Sequence, residues 1–116
     1  METLTIHEAA QTTGWSPRML RYVERTGLLA AARTSAGYRV YGPGELQRLR
    51  TLKELLQHFG VSLSEVAFSA RLESEPELRE AVHGWLHSEP QRPEHVAPAE
   101  WLRFEQEKHE RLLEAA

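Results

Sequence analysis

Eight basic side chains fall between Ser16 and Lys53: Arg18, Arg21, Arg25, Arg33, Arg39, Arg48, Arg50 and Lys53, against only Glu24 and Glu45, a net charge of +6. Guanidinium and ammonium groups gathered in this way can hold phosphate, even on an acidic protein. The whole chain of 116 residues carries -3 at pH 7, an average that taken alone argues against a nucleic-acid partner. That average conceals a segregation. Residues 1–66 hold eight basic against six acidic side chains, net +2, and residues 67–116 hold six against eleven, net -5.

Other chemistries find little support. No residue is cysteine, so disulfides, thiolate metal sites and iron–sulfur clusters cannot form from this polypeptide by itself. His83 and His87 stand four apart, a spacing that can chelate a metal when a third ligand arrives, but no clear third ligand accompanies them. They read as two surface histidines beside Trp85, and neither a metal nor another cofactor is expected. No Gly-rich phosphate loop, nucleophile elbow or paired carboxylate motif occurs, and the Glu residues are dispersed along polar helix faces, so the chain does not read as an enzyme. The opening METLTIHEAA has neither a basic n-region nor a long apolar stretch, which reads as a soluble, cytoplasmic protein with no membrane partner.

The basic residues must be positioned by short elements. Thr5-Ile6-His7-Glu8 has the form of a capping box and predicts a helix from about Ile6 to Thr12, ended at Gly14. Ser16-Pro17 restarts a helix to about Arg25, because Ser is a good N-cap and Pro at the first helical position loses no hydrogen bond. Two short helices joined by a Gly-containing turn describe a helix-turn-helix, with Met19, Leu20 and Val23 packing and Arg18, Arg21, Tyr22 and Arg25 on other faces. Leu28 to Arg33 and Tyr38 to Tyr41, around Thr34-Ser35-Ala36-Gly37, predict a two-stranded hairpin, the candidate wing. A longer helix to about Phe59 carries Leu46, Leu49, Leu52, Leu55, Leu56 and Phe59, and Ser62-Leu63-Ser64-Glu65 caps a short helix after it.

From Leu72 the composition changes. A helix is expected from about Pro76 to His87, then a linker near 88–98 containing Pro90, Pro93 and Pro98, then a helix over 99–116 with Trp101, Phe104, Lys108 and Leu112 on one stripe. The fold class is therefore mainly α: a winged helix-turn-helix over 1–71 with a small two-stranded wing, followed by a helical region over 72–116 for dimerisation or docking.

The pattern resembles the mercury-resistance regulator (MerR) family over about residues 3–70. The likeness is carried by Thr5-Ile6 with Glu8-Ala9-Ala10, Thr13-Gly14-Trp15-Ser16-Pro17, Leu20-Arg21-Tyr22-Val23-Glu24, Gly27-Leu28-Leu29, Gly37-Tyr38-Arg39-Val40-Tyr41 and Phe59-Gly60-Val61-Ser62-Leu63-Ser64-Glu65-Val66. The resemblance implies a sequence-specific, DNA-binding transcriptional regulator. Members of the family bind a promoter as a dimer and distort it so that the two RNA polymerase contact elements realign. Two departures stand out. Tyr22 is followed by Val23 where the family has a second Tyr, and the prolines interrupt the long helix through which the family dimerises, which puts the homodimer in question. Two other readings share the fold: an excisionase-like DNA-bending factor, and a protein-interaction module of the chaperone-modulator type without DNA binding.

For duplex DNA, the expected contact residues are Ser16, Pro17, Arg18, Arg21, Tyr22, Arg33, Gly37, Tyr38 and Arg39. Arg18, at the exposed first turn of the second helix, can pair bidentately with guanine, or it is a solvated helix-end charge. Arg21 and Tyr22 resemble family residues that grip phosphate; the alternative for Arg21 is a surface arrangement with Glu24 or Arg25. Arg39 and Arg33 are the preferred wing contacts to the backbone, and one of Tyr38 and Tyr41 belongs to the core. Trp15 and Phe59 are read as packing residues.

Overall fold

The computed structural model describes residues 2–115. Caps decide where the first helices begin. Thr5 Oγ1 accepts the Glu8 amide while Glu8 Oε1 accepts the Thr5 amide, 3.2 and 3.0 Å, a complete capping box for α1 (Ile6–Thr13). Gly14 ends α1 in the left-handed region at φ 79°, where a side chain would be strained. Ser16 Oγ accepts the Met19 amide at 3.1 Å and Pro17 opens α2 (Pro17–Arg25). The expected helix-turn-helix is present in that order.

The wing differs from expectation. Instead of two strands there are three, in the order β1 (Leu4–Thr5), β3 (Arg39–Tyr41), β2 (Ala32–Arg33), all antiparallel. Leu4 lies opposite Tyr41 and Thr5 opposite Val40, so the residues before α1 supply a strand that a reading of the hairpin alone omits. The expected extended segment from Leu28 is strand only at Ala32–Arg33. Leu28, Leu29 and Ala31 pack against the core instead of pairing. On the other side Ala32 faces Val40 and Arg33 faces Arg39.

After the sheet come α3 (Pro43–Phe59), α4 (Leu63–Ser74), α5 (Pro76–His87), a 3₁₀ turn at Pro98–Glu100 and α6 (Trp101–Ala115). A second capping box, Ser62 with Glu65, starts α4. This helix runs through the boundary expected at 71–72, and the first compact unit extends to Ala81, the second being Val82–Ala116.

In the first unit Ala9, Trp15, Leu20, Val23, Tyr41, Leu49 and Leu63 form the buried cluster. It joins α1, α2, β3, α3 and α4, so the helix-turn-helix and the wing share one core. Trp15 Nε1 donates to the Leu49 carbonyl at 3.3 Å, which ties the turn between α1 and α2 to the middle of α3. Lys53 Nζ donates to the Thr13 carbonyl at 2.9 Å and lies 5.7 Å from the centre of the Trp15 ring. Phe59 is a correction: it is 69% exposed, its ring set edge-on to His58 at the end of α3. The helical spacing of the α3 leucines extends to Phe59, but the core stops short of the last turn.

In the second unit, residues 88–97 carry no helix or strand, and α6 follows the 3₁₀ turn. Val96 is buried, and its carbonyl accepts Arg92 Nη1. His95 stands edge-on to Phe104 at 5.7 Å, with Lys108 Nζ also 5.7 Å from that ring. Of the stripe expected on α6, Trp101 and Phe104 are half-buried while Leu112 is exposed. No helix among the described residues is long and apolar enough to cross a membrane.

Leu49→Ala should lower the unfolding free energy by about 3 kcal/mol, the usual cost of truncating a buried leucine. Phe59→Ala, in contrast, should stay within about 0.5 kcal/mol of the parent, as exposed substitutions do. Urea titration followed by helical circular dichroism measures both.

Candidate nucleic-acid interface

α2 is anchored by Leu20 and Val23, which are 2% and 0% exposed, so its remaining side chains have fixed directions. Arg18, Arg21, Tyr22 and Arg25 are spaced at i, i+3, i+4 and i+7 and share the outer stripe. Tyr22 is half-buried, with the Arg25 guanidinium 5.6 Å from its ring centre, and the three arginines are exposed. On one side of the stripe, Ser16, Arg18, Met19, Tyr22 and Arg25 line a shallow groove whose opposite bank is Ser62, Leu63 and Ser64 at the start of α4. The two serines and Arg25 were not among the expected contacts. They become neighbours of α2 only through tertiary packing.

On the other side stands the wing. Glu24, one residue before the end of α2, is bonded by both wing arginines: Arg33 Nη2 donates to Oε1 at 2.7 Å, and Arg39 Nε donates to Oε2. Arg33 Nη1 also donates to the Gly37 carbonyl at 3.2 Å. The suggested pairing of Arg21 with Glu24 is therefore replaced by a bridge from helix to wing. Gly37 turns the hairpin at φ 88°, Thr34 exchanges backbone bonds with Tyr38 and Gly37, and Tyr38 at the tip is 73% exposed.

The expected contact residues thus lie on α2, at its N-terminal cap and on the wing of a single compact unit, with Glu24 joining the two elements. Lys53, counted in the basic cluster, instead faces the Thr13 carbonyl and the Trp15 ring. In the second unit His87 Nδ1 is 2.8 Å from the His83 carbonyl, and the two rings are 6.1 Å apart. No group of three His, Cys, Asp or Glu side chains converges among the described residues.

Tyr41 is the buried tyrosine of the wing, 1% exposed, and its hydroxyl has no hydrogen-bond partner among the described residues. Burial pushes the phenol above its ordinary pKa, and the Glu24 carboxylate adds to this, while the charges of Arg39, Arg21 and Arg33 partly offset it.

A helix-turn-helix whose second helix packs beside a three-stranded antiparallel wing defines the winged helix-turn-helix class. The family model described as "MerR HTH family regulatory protein" matches residues 4–69, and the chain belongs to that family. It is 36% identical over 64 residues to heavy metal-dependent transcription regulator 2 of Rhizobium meliloti (strain 1021), covering 54% of this chain and 43% of that protein. To the probable heavy metal-dependent transcriptional regulator of Haemophilus influenzae it is 35% identical over 74 residues, 63% of this chain and 57% of that one. A solved MerR family transcriptional regulator from Bacillus cereus is similar with a TM-score of 0.52 at 26% identity, covering 97% of this chain and 76% of the other. The chain spans about half the length of the curated relatives it matches.

Tyr41→Phe removes a buried hydroxyl that has no partner, so stability at pH 7 should be unchanged or higher by up to about 1 kcal/mol. The pH dependence has a definite sign. Because the native phenol ionises at higher pH than the unfolded one, its contribution is fully present below the unfolded pKa of about 10 and is lost as pH rises through the native value. Alkaline denaturation curves of the parent should fall over that range, and those of Tyr41→Phe should fall less.

Proposed function

We propose that this chain is a transcriptional regulator that binds duplex DNA at promoters through α2 and the wing. One observation carries the reading: the exposed stripe of Arg18, Arg21 and Arg25 borders, through Glu24, on the wing arginines Arg33 and Arg39, on a single buried core. Arg18 at the first turn of α2 contacts base edges. Arg21, Tyr22, Arg33 and Arg39 contact phosphates, while Ser16, Pro17, Gly37 and Tyr38 bring backbone and side chain close to the strands.

In this reading the first compact unit is the DNA-binding domain and the helical remainder serves dimerisation or docking. Binding as a homodimer at a pseudo-palindrome would bend and untwist the promoter, with RNA polymerase as the second partner, in the cytoplasm and without catalysis by this chain. The regulatory names of the relatives and the family assignment support it.

Fluorescence anisotropy with a mixed-sequence duplex should show binding at low salt that weakens steeply as salt rises. Arg21→Ala combined with Arg39→Ala should weaken it and flatten the log–log salt slope by about two. On duplexes selected from a random library, Arg18→Ala should cost about 1–3 kcal/mol of discrimination at one base pair. No binding at low salt, or binding indifferent to these changes, rejects the proposal. Light scattering of the complex reads the dimer directly.

A further inference from the structure

Glu24 is an acid at the edge of a surface proposed to face phosphate. By charge alone it should hinder binding. Its contacts argue the opposite role. The register of the hairpin sets Arg33 directly across from Arg39, and like charges in that position repel. The two strands are only two and three residues long, too short to hold such a pair together by backbone bonds alone. The Glu24 carboxylate gives one oxygen to each guanidinium.

Neither guanidinium is used up in this way. Each has five N–H groups. Arg39 commits only Nε, leaving its Nη groups without an acceptor among the described residues, and Arg33 commits one N–H from each Nη. With side-chain exposures of 45% for Arg33 and 26% for Arg39, both can still take an anion. The trio keeps a net charge of +1. Glu24 is itself held by α2, whose Leu20 and Val23 are in the core, and lies about 60° round that helix from Arg21. The carboxylate therefore fixes the separation between the helix arginines and the wing arginines, a distance that must match the spacing of phosphates.

We infer that Glu24 is a positioning residue of the DNA interface, which strengthens binding by holding Arg33 and Arg39 in place although its own charge repels the ligand. This rests on the DNA-binding reading above. The test is the sign of the effect. Glu24→Ala should weaken binding to a mixed-sequence duplex by about tenfold and flatten the salt slope by up to about two. Glu24→Gln, which keeps an oxygen acceptor without the charge, should fall between it and the parent.

In a chain already carrying Arg33→Ala and Arg39→Ala, the same Glu24→Ala change should reverse sign and raise affinity, because only the repulsion is then removed. Circular dichroism confirms that each variant is folded, and Glu24→Gln carries the comparison if Glu24→Ala is not. If both variants of the otherwise unaltered chain bind as tightly as the parent or more tightly, with the same slope, the inference is overturned while the DNA-binding reading stands. If the parent itself does not bind, both fall.

Discussion

The unit that bears the basic cluster depends on how one carboxylate is shared. Five arginines on a nine-residue helix and a small hairpin repel one another, and net charge of one sign opposes a compact state. Neutralising the cluster would erase the surface. The fold instead places Glu24 where two of the five meet, and leaves the other three spread along an exposed stripe. At these partly solvated positions each ion pair adds at most about 1 kcal/mol, so geometry is the larger effect. Without the bridge, a hairpin with two residue pairs between its strands would be joined to α2 by packing alone.

Much of this was legible in the residues. Local rules were enough for the caps: Thr5 with Glu8, Ser16 with Pro17, and Ser62 with Glu65 each depend on side chains three residues apart or fewer, and all three start helices where expected. What local rules missed was tertiary. β1 has two residues and pairs only with β3, far along the chain, so no alternation marks it. Phe59 continues the α3 periodicity but lies past the reach of the core. The partner of Glu24 could have been inferred, since a hairpin that opposes Arg33 to Arg39 demands an acid nearby. The local preference for an i, i+3 partner on the same helix pointed to Arg21 instead.

The bridge and the buried tyrosine also fix the hairpin against the rest of its unit. Its turn is small and polar, Thr34 to Gly37, all exposed. Its base is not: Tyr41 fills the core beside Leu49, and Gly42, also buried, opens α3 directly after it. The wing is therefore held at its base by the core and at its strands by Glu24, while its turn is closed by bonds of its own.

Lys53 offers a last consequence. Its ammonium closes the C-terminal end of α1 by donating to the Thr13 carbonyl, and a Cβ at Gly14 would come within 2.8 Å of that nitrogen. Acylation of this lysine, a modification ordinarily pictured as loosening contact with an anionic ligand, would here uncap a helix and withdraw a cation from the Trp15 ring. Its effect would surface first as a lower melting temperature, with the outer arginines chemically untouched.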